Sequence, residues 1–151
     1  MTTDIRVQAG DFDPGAELTR LEALGGGAVA SFTGLVRGDG GLVEMLLEHH
    51  PAMTLKALGD IADEAARRWQ LAGITVIHRH GLLHPGDRIV FVGTISPHRA
   101  AALEACAFLI DWLKTSAPFW KQERFADGAR RWVEARAEDD AAAERWRGDR
   151  G

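Results

Sequence analysis

Residues 114–121 read Lys-Thr-Ser-Ala-Pro-Phe-Trp-Lys, and the rest of the chain is organised around this stretch. It closes a long apolar-periodic run that begins near Pro97. Pro118 prevents that helix from continuing, because proline lacks an N–H donor and forces the residue before it to be extended. Lys114 is therefore predicted on the last helical turn and Lys121 on a following strand-like segment. The two amines come from different elements and can converge on one pocket.

Two interpretations of this lysine pair are open at this point. Phe119 and Trp120 lie between the lysines and are predicted to wall the pocket, where a low dielectric lowers a lysine pKa and lets the amine donate and accept protons near neutral pH. Alternatively, lysines that end a helix complement its dipole and are simply solvated.

The composition predicts one domain of ordinary size. The chain has 151 residues, of which 46% are apolar, and this is enough for a single sizeable core. We expect one domain spanning residues 1–151, with residues 147–151 frayed. The 18 Lys and Arg against 22 Asp and Glu give a net charge of −4, so no global basic field exists to hold a nucleic acid.

Cysteine content and hydropathy predict a cytoplasmic protein. Cys106 is the one cysteine, which excludes a disulfide framework and a multi-cysteine metal site. No apolar run reaches membrane length, and the N-terminus lacks the basic start and apolar core of a leader. We therefore expect a soluble, cytoplasmic chain with neither a membrane nor a nucleic-acid partner.

The spacing of apolar and turn-forming residues predicts an α+β fold. Predicted strands are 5–8, 28–36, 42–49, 74–80, 88–95, 120–125 and 131–135, and predicted helices are 14–24, 51–69, 97–114 and 138–146. Glycine-containing turns predict that three pairs of strands form hairpins: 28–36 with 42–49, 74–80 with 88–95, and 120–125 with 131–135. Hairpins interspersed with helices indicate a mainly antiparallel sheet with a long central helix, not a doubly wound parallel sheet.

Local sequence also predicts where the long helix begins and which helix faces are buried. Ser96-Pro97 has the form of an N-cap followed by proline at the first helical position. Residues at helical spacing are expected to face inward: Met53, Ala57, Leu58, Ile61, Ala65 and Trp69 in the second helix, and Leu103, Cys106, Ala107, Ile110 and Leu113 in the third. Cys106 is thus predicted to be a small core residue.

Two further places carry positive side chains at the ends of predicted elements. Arg37 follows the strand end at residues 32–36 and precedes a glycine-rich loop, where it could clamp a phosphate or a carboxylate. His98 and Arg99 are predicted on the first turn of the long helix, where free backbone N–H groups and the helix dipole favour an anion. Positive side chains oppose the dipole at that end, so they indicate a bound negative group.

The histidines are candidate metal ligands. They are His49, His50, His78, His80, His84 and His98. His78 and His80 would share one face of a strand, a spacing that metal sites use. No carboxylate or cysteine joins them at a diagnostic spacing, so we interpret them as hydrogen-bonded structural residues and predict no metal site.

With these elements placed, the chain resembles the large, catalytic subunit of molybdopterin synthase over nearly its whole length. The residues that carry the resemblance form ordered blocks: Phe32-Thr33-Gly34, Val36-Arg37, Leu47-Glu48-His49, Pro51, Met53, Val76-Ile77-His78-Arg79, Pro85-Gly86-Asp87, Val90-Phe91-Val92-Gly93, Ser96, His98-Arg99, Leu113-Lys114-Thr115, Ala117-Pro118-Phe119-Trp120-Lys121 and Arg131-Trp132-Val133-Glu134-Ala135. The lysine block is the most specific of them.

The resemblance implies an α/β hammerhead-type domain and a sulfurtransferase step in molybdenum cofactor biosynthesis. Such enzymes accept sulfur from the C-terminal Gly-Gly thiocarboxylate of a small ubiquitin-like subunit. They place two sulfurs on cyclic pyranopterin monophosphate, which makes the dithiolene of molybdopterin. The large subunit is a homodimer within a heterotetramer, with a small subunit at each end, and no cofactor is implied.

The resemblance also implies roles for particular residues. Lys114 and Lys121 match the catalytic lysines. The matched substrate-binding and pocket positions are Arg37, His98, Arg99 and Phe32. The chain departs from the family in the short glycine-rich loop after Arg37, where the family often has a longer polar loop, and at Ser116, which replaces a frequent basic residue.

Two non-catalytic alternatives differ from this enzyme in the residues they require. A binding module for a phosphorylated small molecule would need Arg37, His98 and Arg99 but neither lysine. A structural subunit would need none of these residues.

Overall fold

The computed structural model describes residues 1–133, 141, 144, 146 and 147. The helices are α1 (Pro14–Glu22), α2 (Pro51–Arg68) and α3 (Arg99–Thr115). The strands are β1 (Thr2–Gln8), β2 (Ala28–Leu35), β3 (Leu42–His49), β4 (Gly73–Arg79), β5 (Gly81–Leu83), β6 (Arg88–Ser96), β7 (Phe119–Phe125) and β8 (Arg130–Val133). Every predicted strand and the first three predicted helices are confirmed within a few residues. Most of the predicted helix at 138–146, the last two residues of the predicted strand at 131–135 and most of the predicted frayed end at 147–151 lie outside the described residues.

The strands form two four-stranded sheets and not one. Sheet A has the order β1-β4-β6-β2, and sheet B has the order β5-β3-β7-β8. The pairing of β1 with β4 is parallel, and the other pairings found among the described strands are antiparallel. The mainly antiparallel α+β architecture is therefore confirmed.

The predicted hairpin of 28–36 with 42–49 is wrong. β2 pairs with β6 in sheet A, whereas β3 pairs with β5 and β7 in sheet B. After β2 the chain leaves sheet A, because Val36 is only 3% exposed and packs in a separate core with Leu42, the first residue of β3. The connection therefore carries the chain from one sheet to the other. A glycine-rich loop between two apolar strands therefore does not form a hairpin here.

The other two predicted hairpins are confirmed as strand pairs. β4 pairs with β6, although the short strand β5 lies between them in sequence and joins β3 in sheet B. β7 pairs with β8 across the Asp127-Gly128 turn, where Gly128 has a φ of +89° that favours glycine.

Sheet A lies between α1 on one face and α2 with α3 on the other. Alternate residues of β6 divide between two cores: Phe91 and Ile95 pack toward α1, and Val90 and Val92 pack toward α3. A Cβ at Gly93 would collide with the Leu21 side chain of α1, so glycine lets this helix approach the sheet closely.

Two details of α3 and α2 differ from prediction. The N-cap of α3 is His98, whereas Ser96 ends β6, is fully buried and donates its hydroxyl to the Gln70 carbonyl at 2.7 Å. Leu103 and Met53 were predicted to face inward but are 62% and 58% exposed. Each lies one position from a buried residue, Ala102 in α3 and Thr54 in α2. The other buried residues include four that were predicted to face inward: Leu58, Ile61, Ala65 and Cys106. None of the helices built from described residues is long and apolar enough to cross a membrane.

Candidate active site

The direction of α3 places its C-terminal end near the first residues of β6 in sheet A. Near the helix start, Thr94 of β6 donates its hydroxyl to the Ala102 carbonyl at 2.7 Å. One turn later, the Cys106 Sγ lies 3.9 Å from the Val92 carbonyl. The helix therefore runs antiparallel to β6, and its last turn, which carries Lys114, lies toward the Val90 end of that strand. There Val90 pairs with His78 of β4.

β7 brings the second lysine to the same region. Pro118 ends the helical segment, and β7 begins at the next residue. Phe119 and Lys121 lie on the same face of β7, where their cross-strand partners are His49 and Leu47.

Trp120 projects from the opposite face of β7. Its side chain is 44% exposed, and its indole N–H donates to Glu48 at 3.1 Å. The prediction that Trp120 walls the lysine pocket is therefore wrong, because successive residues of a strand alternate between its two faces.

A cluster of aromatic rings lies where the start of β7 meets the end of β4. The Phe119 ring stacks on His78 with a centroid distance of 3.7 Å and an interplanar angle of 16°. It also lies 5.5 Å from the His49 ring, and His49 lies 4.8 Å from His80. The rings come from β4, β3, β7 and, for His80, the residue between β4 and β5, so the cluster joins the two sheets at this point.

Hydrogen bonds hold both central imidazoles in place. The His78 Nδ1 lies 2.8 Å from the Arg79 carbonyl oxygen. The His49 Nδ1 lies 3.0 Å from the Thr54 hydroxyl, which itself donates to the His50 carbonyl at 2.9 Å. The structural, hydrogen-bonded role predicted for these histidines fits this arrangement. No group of three or more potential metal-binding side chains occurs within the described residues.

The positive charges of both lysines act on His78. The pKa of His78 is lowered to about 4, mainly by burial and to a smaller extent by the charges of Lys114, Lys121 and His49, against the opposing hydrogen bond to the Arg79 carbonyl. Burial likewise lowers the pKa of His49, with help from the neighbouring His80 and His50. The buried imidazole of His78 is therefore neutral at physiological pH.

Two of the predicted anion-binding residues lie at the opposite end of α3 from Lys114. His98 and Arg99 are exposed at the N-terminal end of α3. Fifteen residues separate Arg99 from Lys114, which corresponds to roughly 22 Å along the helix. Arg37 lies in the exposed loop after β2, with its Nε 3.7 Å from Asp39. One chain thus brings Lys114 and Lys121 together but does not bring His98 or Arg99 to them.

Phe32 has a different environment from the charged candidates. It is half-buried on β2, opposite Val92, and packs against the core between sheet A and α3. It therefore lies on the same face of sheet A as His78, but nearer to the middle of α3.

Sequence reasoning missed the contact of His78 with Phe119. The alternation of β4 contained the signal, since His78 lies two residues after buried Val76 and so shares its face. The identity of its neighbour depends on the pairing of β7 with β3, which no local pattern shows.

Comparison with known proteins identifies the family. Residues 7–116 match the family model of the MoaE protein. The chain belongs to the MoaE family. It is 56% identical over 147 residues to the molybdopterin synthase catalytic subunit of Pseudomonas aeruginosa, and the match covers 94% of this chain and 97% of that protein. The resemblance predicted from the sequence is confirmed.

Solved structures of MoaE proteins have the same fold. The molybdopterin biosynthesis MoaE protein from Burkholderia ambifaria matches with a TM-score of 0.83 and 49% identity, over 97% of this chain and 98% of that one. A chain from the complex of subunits 1 and 2 of molybdopterin-converting factor from Helicobacter pylori matches with a TM-score of 0.70, over 88% of this chain and 90% of that one. At 19% identity, that second likeness shows the fold alone.

Proposed function

We propose that this chain is the catalytic subunit of a molybdopterin synthase. It accepts sulfur from the C-terminal Gly-Gly thiocarboxylate of a small ubiquitin-like subunit and transfers it to cyclic pyranopterin monophosphate, which forms the dithiolene of molybdopterin. Membership of the MoaE family and the name of its relatives support the proposal. The structural observation that supports it is that Lys114, at the end of α3, and Lys121, on the Phe119 face of β7, both lie near enough to His78 for their charges to lower its pKa.

The settings of the two lysines support different roles. Lys114 is exposed on the last turn of α3, where it can reach the carboxy-terminal group of another chain. We assign it to binding the thiocarboxylate and stabilising the charge that develops as the acyl carbon is attacked. Lys121 is half-buried on the face of β7 that also carries Phe119. We assign it to proton exchange with the pterin substrate.

The properties of Cys106 support sulfur delivery by the partner and not by this chain. Cys106 is 5% exposed, and burial raises the pKa of its thiol to about 12. A thiol that stays protonated and inaccessible is a poor sulfur carrier, because the thiolate is the reactive form. We infer a cytoplasmic location, which a single reduced cysteine fits.

A homodimer would complete the pocket. His98 and Arg99 lie roughly 22 Å along α3 from Lys114, so we propose that the second copy brings these two residues to the lysines and to the substrate anion. The heterotetramer then carries one small subunit on each catalytic chain. The relatives are named as the catalytic subunit of a synthase, which supports a further protein subunit as partner.

An apolar surface on sheet B is available for contact with another protein chain. Leu82, Leu46, Gln122 and Trp132 are paired in register across all four strands of the sheet. Leu82 is 52% exposed and Trp132 is 56% exposed, and exposed Trp120 lies on the same face. Large exposed apolar side chains grouped on one face indicate an interaction surface.

Reconstitution of sulfur transfer tests the function. The chain is mixed with a thiocarboxylated small subunit and cyclic pyranopterin monophosphate, and molybdopterin formation is measured. We expect activity in the wild type and near-complete loss in Lys114→Ala and Lys121→Ala. Lys56→Ala is the matched control, because Lys56 is 77% exposed on α2 and pairs with Asp60. Wild-type activity in both active-site variants would remove the lysines from the mechanism, whereas a wild type that binds the substrate but forms no molybdopterin would favour a binding module.

A further inference from the structure

Phe119 occupies a central place in the candidate active site. It lies five residues after Lys114 and two before Lys121, at the start of β7. Its backbone N–H donates to the Ala117 carbonyl at 2.8 Å, which closes a tight turn around Pro118. The position of its ring therefore constrains the backbone that connects the two lysines.

His78 is the side chain that fixes this ring. The two rings are nearly parallel, at 16°, and their centroids are 3.7 Å apart. By comparison, the His49 ring is 5.5 Å from Phe119 and tilted by 35°, which is a looser contact. His78 comes from sheet A and Phe119 from sheet B, so the stack ties the lysine segment to a different sheet from the one it belongs to.

His78 itself has little freedom to move. Its side chain is 7% exposed within β4. Its Nδ1 lies 2.8 Å from the Arg79 carbonyl, which can only accept, so Nδ1 carries the proton. The ring plane is therefore set from one side by this hydrogen bond and from the other by the stack.

We propose that His78 is a positioning residue for sulfur transfer, which acts through Phe119 to hold Lys114 and Lys121 in their productive places. The ring supplies a flat surface for Phe119, and its fixed Nδ1 proton prevents the surface from rotating. Because the imidazole is uncharged, it holds the lysines without adding a third positive charge between them. The catalytic consequence rests on the proposed function, whereas the positioning itself does not.

Two substitutions of His78 separate the stack from the hydrogen bond. His78→Phe keeps a flat ring against Phe119 and loses the donor to the Arg79 carbonyl. His78→Asn keeps a donor near that carbonyl and loses the ring. Phe12→Leu is the matched stability control, because Phe12 packs edge to face on Phe91 toward α1, on the other side of sheet A.

Hydrogen exchange of the amides in residues 115–121 tests the positioning without any activity assay. We expect exchange in this segment to be at least about tenfold faster in His78→Asn than in the wild type, only about two- to threefold faster in His78→Phe, which loses the hydrogen bond but keeps the ring, and nearly unchanged in Phe12→Leu. Unchanged exchange in His78→Asn, or equal acceleration in all three variants, would overturn the proposal. If the wild type transfers no sulfur, the proposed function is wrong. The hydrogen-exchange comparison still tests whether His78 positions residues 115–121.

Steady-state kinetics on the reconstituted synthase then test the effect on the reaction. We expect kcat to fall at least about tenfold in His78→Asn, with KM for the small subunit changed less than about twofold, and most of the activity to return in His78→Phe. A residue that only supported the fold would lower the melting temperature and leave kcat per folded molecule unchanged, as Phe12→Leu should. That pattern in His78→Asn would contradict the positioning role.

Discussion

Trp146 donates its indole N–H to a carboxylate oxygen of Asp111 at 2.7 Å. Its ring also meets the rings of Trp69 and Phe108 edge to face, at 5.7 and 5.6 Å. Asp111 lies one helical turn before the end of α3, and its carbonyl accepts the Thr115 hydroxyl at 2.9 Å. A residue close to the C-terminus therefore braces the helical turn that carries the first lysine.

Removing this brace should destabilise the protein in two steps. Trp146→Phe loses the hydrogen bond to Asp111, which should cost about 1–2 kcal/mol in the free energy of unfolding. Trp146→Ala also loses the edge-to-face ring contacts and should cost roughly 3 kcal/mol. Arg147→Ala is the neighbouring control, because its exposed pair with Glu144 contributes little. Urea unfolding measures all three, and equal stability of Trp146→Ala and wild type would disprove the brace.

Conservative substitution of the lysines should separate their roles. Arginine keeps the charge but does not deprotonate at accessible pH. Lys114→Arg should therefore retain part of the activity, whereas Lys121→Arg should lose nearly all of it between pH 6 and 9, at least about a hundredfold. Molybdopterin formation by the reconstituted enzyme is the measurement. The reverse order of activities would exchange the two assignments.

Arg99 should be required for substrate binding and not for the fold. It is exposed, and no ion pair involves it among the described residues. Arg99→Ala should weaken binding of cyclic pyranopterin monophosphate by about 2 kcal/mol, the contribution of a charge-assisted hydrogen bond. Calorimetric titration measures the affinity, and the melting temperature should stay nearly constant. A lower melting temperature with unaltered affinity would indicate a structural role.

Mixing Lys121→Ala with Arg99→Ala should restore activity if the pocket is shared between two copies, when the substrate concentration is too low to saturate Arg99→Ala. A dimer of one Lys121→Ala chain and one Arg99→Ala chain has one pocket with both native residues and one with neither. Random exchange makes half of the dimers mixed, so about a quarter of the wild-type activity should return. Mixing each variant with itself is the control. If the pocket lies within one chain, the mixture should be no more active than its components.

The buried imidazole of His78 should make stability depend on pH. Its pKa is lowered to about 4 in the folded protein by burial and by the charges of Lys114, Lys121 and His49, against about 6.5 when unfolded. Between these values the unfolded chain binds a proton that the folded chain does not, so the contribution is complete above pH 6.5 and is lost as the pH falls toward 4. The loss should reach roughly 3 kcal/mol.

The comparison with His78→Phe isolates this effect from the other titrating groups. Urea unfolding of both proteins at pH 7 and pH 4 gives the difference in stability at each pH. The wild type should lose roughly 3 kcal/mol more than the variant over this interval. Equal losses would show that the imidazole is not held neutral in the folded protein.

The placement of Lys114 and Lys121 on different elements could be predicted from the sequence, and the structure confirms it for the same physical reason. Pro118 must end α3, and the strand that follows must start at once, so the two amines come from different elements. Strand alternation could also have excluded Trp120 from the pocket. Likewise, the length of α3 alone separates Arg99 from Lys114.

The division into two sheets could not be predicted in the same way. β2 and β3 have the composition of a hairpin, and the turn between them allows one. Their partners are β6 and β7, which lie about fifty to eighty residues further along the chain. Local propensities do not contain such pairings, and the contact of His78 with Phe119 depends on them.

The strands from β2 to β7 alternate between the sheets, with β2, β4 and β6 in sheet A and β3, β5 and β7 in sheet B. The first 96 residues therefore contain all of sheet A but only β3 and β5 of sheet B, whose other two strands follow α3. Contacts between residues so distant in sequence make folding slow and cooperative. During synthesis the lysine pocket cannot close until β7 has left the ribosome, so a chain truncated before Phe125 gains no partial activity from its complete sheet A.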